Sequence, residues 1–267
     1  MQGACEAMTR LQEAHRILVT GASGGLGGAL ARHYARPGVS LSLWGRDPAR
    51  LAAVADTCRD AGAMVTVRSL DLADIDAALA ALAAEDADGP FDLVLFASGQ
   101  GDVRLPGERV ENAAMVARLG TVNFTSPAAM AAAIAGRMAV RGRGGIVLVG
   151  SAAGFHALPF AAAYSSTKAG LAHFAEALRI GVRPHGVRVT LVSPGFIDTA
   201  AGRKVPGPKP MLMAPEVVAA RIAQAAATAT AYAVMPWPFT ALRWLDRLLP
   251  GPLRERLLLS LTPPERN

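Results

Sequence analysis

The chain has 267 residues, of which 52% are hydrophobic, with a formal net charge of +6 and a calculated pI near 10.0. That length suits one α/β domain, and the longest apolar stretches, such as 128–135, are too short to span a bilayer. The two cysteines, Cys5 and Cys58, have no metal-ligand spacing and form no disulfide framework, and the basic residues are too scattered for a nucleic-acid face.

Residues 1–14 carry Glu6 and Glu13 and no apolar h-region. They read as an N-terminal extension rather than a secretory signal, and with so few cysteines a reducing cytoplasm is the expected location. A catalytic domain over 15–236 follows. It opens with Arg16-Ile17-Leu18-Val19-Thr20, then Gly21-Ala22-Ser23-Gly24-Gly25-Leu26-Gly27-Gly28. A β-branched apolar run, a glycine cluster and an Ala/Leu-rich segment predict strand 16–20, a tight turn and helix 25–36. Glycines there let the backbone approach a pyrophosphate, and the helix N-terminus offers free N–H groups. A second strand, 39–44, ends in Gly45-Arg46-Asp47. Asp47 as N-cap and Pro48 at the first helical position predict helix 48–61.

Strand 64–69 leads to Asp71-Leu72 and helix 75–84. Strand 91–96 leads to Phe96-Ala97-Ser98-Gly99 and a long helix, 110–138, containing Asn123. Strand 145–150 ends at Ser151, and helix 161–182 carries Tyr164-Ser165-Ser166-Thr167-Lys168 near its start. Strand 188–192 precedes Pro194-Gly195 and Thr199. The basic, proline-broken stretch 203–210 excludes a long regular element, and helix 215–228 and strand 232–236 complete the domain. Alternating strands and helices predict right-handed crossovers and a doubly wound, Rossmann-type parallel sheet in three α/β/α layers. Ligands in such sheets bind beyond the carboxyl ends of the strands. Gly21–Gly27, Gly99, Ser151 and Pro194-Gly195 all fall there.

Tyr164 and Lys168 are four apart on one helix, so both point the same way. A nearby cation favours the phenolate and lowers the tyrosine pKa, which makes a phenol a usable acid or base near neutrality.

Taken together, Thr20-Gly21-x-x-x-Gly25-x-Gly27, Asp71, Asn123, Ser151, Tyr164-x-x-x-Lys168 and Pro194-Gly195 followed by Thr199 resemble the short-chain dehydrogenase/reductase family, in order over about 14–200. The resemblance implies an oxidoreductase that reduces a carbonyl, or oxidises the matching alcohol, by hydride transfer. Tyr164 would give the proton, Lys168 would depress its pKa and hold the cofactor ribose, and Ser151 would bond the substrate oxygen. Asn123 would hold backbone and water that return a proton towards Lys168. Gly21, Ser23, Gly25, Leu26, Gly27, Arg46, Asp71, Leu72, Ser98, Gly99, Pro194, Gly195 and Thr199 would line the cofactor site. The segment 199–214 would be a lid over the substrate, and a homodimer or homotetramer is expected. One motif departs. The family's Asn-Asn-Ala-Gly is Phe96-Ala97-Ser98-Gly99 here, which withdraws the basis for expecting side-chain hydrogen bonds from that loop to the sheet.

Cofactor choice turns on the end of the second strand. An acid there would bond the ribose 2′-OH of NAD, but the position is Gly45, followed by Arg46. An arginine can clamp a 2′-phosphate, so NADP(H) is favoured, with NAD(H) the alternative if Asp47 takes the acidic role. Beyond 236 an apolar tail over 237–267 carries Leu242, Leu245, Leu248 and Leu249 at helical spacing, with Trp237, Trp244, Arg243 and Arg247. It reads either as a peripheral membrane contact and a sign of a hydrophobic or lipid-like substrate, or as a stripe packed on the protein itself. The rival to an enzyme is a non-catalytic dinucleotide-binding regulator, which would usually have lost Ser151, Tyr164 or Lys168. His156 and His185 read as surface loop residues.

Overall fold

The computed structural model describes residues 14–101, 108–205, 207–245 and 248–260. Seven strands form one sheet: β1 (Arg16–Thr20), β2 (Ser40–Gly45), β3 (Met64–Ser69), β4 (Leu93–Phe96), β5 (Gly144–Val149), β6 (Val187–Pro194) and β7 (Tyr232–Met235). All pairs are parallel, in the order β3-β2-β1-β4-β5-β6-β7. The order reverses between β1 and β4, which opens a crevice beyond the strand ends at that point.

Both faces of the sheet are covered, as the continuous apolar runs of β1, β4 and β5 require. One face packs under α1 (Gly25–Tyr34), α2 (Pro48–Asp60) and, later in the chain, Pro215–Ala227, through Leu30, Leu51, Val218 and Ile222. The other packs under α3 (Ile75–Asp88) and two further helices. These are Ser126–Arg141, which contributes Met130 and Ile134, and Ala162–Val182, which contributes Leu171 and Ala175. The expected start of α2 is present: the Arg50 N–H donates to Asp47 Oδ1 at 3.0 Å, with Pro48 following.

Several bounds shift from the sequence expectation, α3 running on to Asp88 and β6 spanning Val187–Pro194. Strand 91–96 begins at Leu93, although Asp92 already pairs on both sides, its N–H donating to the Arg16 carbonyl and its carbonyl accepting from the Gly145 N–H, both at 2.9 Å. The Phe91 N–H donates to Asp86 Oδ1 at 2.9 Å, while Asp92 Oδ2 accepts from the His15 and Arg16 N–H groups at 3.1 and 3.0 Å. The single helix expected over 110–138 is two, α4 (Ala113–Gly120) and α5 (Ser126–Arg141), joined by a π-turn over Thr121–Thr125. Pro127 has no N–H to give to the Asn123 carbonyl four residues earlier, so the α-helical ladder cannot run through.

The chain continues through α6 (Ala162–Val182), α7 (Ala200–Lys204), α8 (Pro215–Ala227), α9 (Pro238–Leu245) and α10 (Gly251–Ser260). Among the described residues no helix is long and apolar enough to cross a membrane. The side chains of Leu242 and Leu245, and all of Cys5 and Arg247, lie outside what is described.

Candidate active site

At the carboxyl ends of β1, β2, β4, β5 and β6 lies a cleft of about 1300 Å³. An ordinary single-ligand site occupies roughly 300–1,000 Å³, so this cleft has room for a dinucleotide and a second molecule. Its floor is the glycine-rich turn. Gly21 has φ +71, and a Cβ there would lie 2.7 Å from the Ser98 Cα, so only glycine fits between β1 and the β4 loop. A Cβ on Gly25 would come within 2.8 Å of the Thr199 Cβ, which lets the segment after β6 close onto the first turn of α1. Gly24 is the N-cap of α1 and carries no side chain, so nothing competes for the first-turn N–H groups of Gly25, Leu26 and Gly27.

Ser98 is bound to the sheet after all. The Thr20 hydroxyl lies 3.2 Å from Ser98 Oγ, and the Ser98 N–H donates to Thr20 Oγ1 at 3.4 Å. A serine and a threonine thus tie the β4 loop to β1 where asparagines were missing. At the end of β2 the Arg46 side chain is exposed beside Gly45, and a Cβ on Gly45 would sit 2.5 Å from Ser23 Oγ. Asp71 accepts from the Ala73 N–H at 3.1 Å and pairs with Arg118 at 3.5 Å, while Leu72 beside it is buried. Thr199 caps α7, its Oγ1 accepting from the Gly202 N–H at 3.0 Å, and Asp198 pairs with Arg203 at 3.2 Å. Each candidate cofactor residue lines the cleft.

Three of the four candidate catalytic residues, Ser151, Tyr164 and Lys168, line the cleft, and the fourth, Asn123, lies behind it. Ser151, two residues beyond β5, caps the turn Ala152–Phe155, its Oγ accepting from the Ala153 N–H at 3.1 Å. The same hydroxyl is near enough to Tyr164 to draw its pKa down. Lys168 is buried and donates from Nζ to the Val149 carbonyl at 3.0 Å, with Nζ 6.0 Å from the centre of the Tyr164 ring. A point one bond out from the Gly99 Cα lies 3.3 Å from Lys168 Nζ and 3.5 Å from Asn123 Oδ1, so both groups face the same side of that glycine. Asn123 is fully buried behind the cleft and lines none of it. Its Oδ1 accepts from the Gln100 N–H and its Nδ2 donates to the Gln100 carbonyl, both at 2.8 Å. It bonds a segment 23 residues away and does not bond locally within its own turn.

The electrostatics depart from the expectation of a phenol acidified by Lys168. Burial pushes the Tyr164 pKa up, and the Ser151 hydroxyl pulls it back only in part. The Lys168 ammonium donates to the Val149 carbonyl. Burial lowers the Lys168 pKa from 10.5 to about 8. The arrangement therefore keeps a proton on Tyr164 across the neutral range, beside a serine hydroxyl, at the closed end of a cleft.

Sequence reasoning missed three contributors. Glu111 Oε2 accepts from the Ala163 N–H at 2.9 Å, capping α6 one residue before Tyr164, where Ala161 at the N-cap has no side chain able to do so. The partners are 52 residues apart, so no local pattern announces them. Gln100 gives Asn123 its two backbone partners. His156, expected on the surface, is half-buried against Phe155 and lines the cleft.

Residues 15–208 match the short chain dehydrogenase family. An uncharacterized oxidoreductase of Myxococcus xanthus is 37% identical over 241 residues, covering 88% of this chain and 93% of the relative. A short-chain dehydrogenase from Sphingobium yanoikuyae, solved in complex with NADPH, superposes with a TM-score of 0.77 at 28% identity, over 95% of this chain and 98% of that one. A bulky-bulky ketone specific alcohol dehydrogenase from Comamonas testosteroni superposes at 0.75 with 25% identity, over 95% and 96%.

Proposed function

The chain belongs to the short chain dehydrogenase family, and from that premise we propose that it is an NADP(H)-dependent reductase of ketones with hydrophobic substituents. The observation that carries the reading is that Tyr164, Ser151 and Lys168 line one cleft with the start of α1, whose N-cap Gly24 has no side chain. The dinucleotide fits the glycine-rich floor, because a Cβ at Gly21 or Gly25 would fill the space its backbone contacts need. Gly21–Gly27 would take the pyrophosphate, Arg46 the 2′-phosphate, Asp71-Leu72 the adenine end, and Pro194-Gly195 with Thr199 the nicotinamide end. The bound cofactor supplies the hydride.

The protein's own groups handle orientation and the proton. Ser151 donates to the substrate oxygen and fixes the carbonyl against Tyr164. Tyr164 delivers its proton to that oxygen as negative charge develops there, a step general acid catalysis accelerates by about 10²–10⁴-fold. Its raised pKa suits the reductive direction, since the donor stays loaded at neutral pH. Lys168, with a pKa near 8, is poised to exchange a proton with the tyrosine side of the cleft, and Asn123 holds the Gln100 backbone beside it.

The test is Tyr164→Phe, assayed by NADPH oxidation with a panel of ketones. Turnover should fall at least 10²-fold with NADPH binding nearly intact, because only the transferable proton is lost. Retention of more than about a tenth of the wild-type rate would remove Tyr164 from the role.

A further inference from the structure

The last helix of the described chain, α10, reaches back into the cleft. Leu257 and Leu258 line it, and Leu258 is only 6% exposed, while Leu253 and Leu259 on the same helix face outward at 52% and 60%. They share the cleft with Leu158 and Phe160 from the loop after Ser151, Val205 after α7, and Phe239 of α9. The approach is anchored. Phe239 packs on Gly195, where a Cβ would meet its ring at 2.7 Å. Arg243 lies over the rings of Tyr232, Trp244 and Phe155 at 4.9, 5.3 and 5.7 Å.

Charge divides the same cleft in two. Arg46, Asp47 and Asp71 follow the ends of β2 and β3, Arg50 lies in the first turn of α2, and Lys168 lines the cleft from α6. The part bounded by α9 and α10 is lined by leucine, phenylalanine and valine, with Ser260 as the polar residue that α10 adds. An ionised arm placed against that wall would lose its hydration with no opposite charge to replace it, whereas an apolar arm is stabilised by each CH₂ it buries.

We propose that α10 is the substrate-selecting wall of the cleft, and that it selects ketones or matching alcohols carrying a long or bulky uncharged apolar arm seated against Leu257 and Leu258. The assignment rests on the reductase reading for the position of the carbonyl at Ser151 and Tyr164. It gives the tail a task inside the molecule, independent of any surface it meets.

The experiment uses the full chain with 2-alkanones from 2-butanone to 2-decanone. Leu257→Ala and Leu258→Ala are compared with Leu257→Trp and with the outward-facing Leu259→Ala as control. Both alanine variants should raise KM for 2-decanone about tenfold or more, since a tenfold loss is about 1.4 kcal/mol and each truncation strips several carbon contacts. KM for 2-butanone and for NADPH should stay within about twofold. Leu257→Trp, which adds bulk and does not create a void, should lose 2-decanone and keep 2-butanone, so a folding defect in the alanine variants does not decide the matter. A second readout is calorimetric binding of 2-decanol to the NADPH-loaded protein, which needs no turnover. Binding that strengthens with alcohol chain length and depends on Leu258 supports the wall even if no ketone is reduced, and in that case the reductase reading falls alone. Equal KM shifts for short and long ketones, or 2-decanol affinity unchanged in all three wall variants, would overturn it.

Discussion

Lys168 is buried with its ammonium on one backbone carbonyl, and that costs stability in a way pH should expose. Its pKa falls from 10.5 to about 8 on folding. Between those values the unfolded chain binds more protons at this site than the folded one, so stability rises with pH through the window. Below pH 8 the penalty is nearly full, at about 3 kcal/mol from 1.36 kcal/mol per pKa unit, and it is relieved as the ammonium loses its proton. Between pH 8 and 10 the wild-type protein should gain about 2 kcal/mol from this group. Tyr164, with its raised pKa, acts in the opposite sense only from about pH 10 upward. Lys168→Met removes the titration but leaves the Val149 carbonyl without its 3.0 Å donor, an offsetting cost of about 1–3 kcal/mol. The assay is urea denaturation of the cofactor-free protein at pH 7, 8, 9 and 10, for both forms. With a slope of about 1–3 kcal/mol/M, the wild-type midpoint should move up by about 1 M relative to the variant between pH 8 and 10. Parallel midpoints across the range would refute the buried-ammonium argument, and with it the claim that Lys168 is poised near neutrality.

Arg46→Ala should raise KM for NADPH at least tenfold and leave KM for NADH nearly unchanged, because a charge-assisted contact to the 2′-phosphate is worth about 1.5–3 kcal/mol; equal effects on both cofactors would show that Arg46 reads no phosphate. Glu111→Ala removes the cap on α6 and should cost about 1 kcal/mol, or about 2–4 °C in Tm. It should lower kcat more than KM by loosening Tyr164, whereas Glu111→Gln keeps an acceptor and should restore both. Trp237 and Leu248, 77% and 81% exposed, lie on the outer side of the tail. Trp237→Ser with Leu248→Ser should reduce co-sedimentation with anionic vesicles, and unchanged pelleting would remove the membrane role.

How far the residues alone carried the reading differs from element to element. The positions of the seven strands, the doubly wound class and the Asp47-Pro48 helix start follow from local patterns: continuous apolar runs, glycine clusters and cap chemistry, each set by neighbours a few residues away. Family membership was legible for the same reason, since Thr20–Gly27 and Tyr164–Lys168 are short motifs whose spacing survives in the linear chain. Contacts between distant segments were not legible. No pattern near Asn123 says that it bonds Gln100, or near Glu111 that it caps a helix 52 residues on. Ser98 and Thr20 tie β4 to β1 across 78 residues, where the motif had read as incomplete. The protonation of Tyr164 also depended on the fold. Helical spacing alone placed Lys168 on the same side, but only the packed chain turns its ammonium to Val149 and buries the phenol, which reverses the direction of the shift. The tail shows the same division. Its leucines and tryptophans announce an apolar helix wherever it goes, because amphipathicity is a property of the local sequence. That Leu257 and Leu258 turn into the cleft while Trp237 and Leu248 face outward was decided by tertiary packing, where Phe239 and Arg243 hold α9 against Gly195 and the rings of Phe155 and Tyr232.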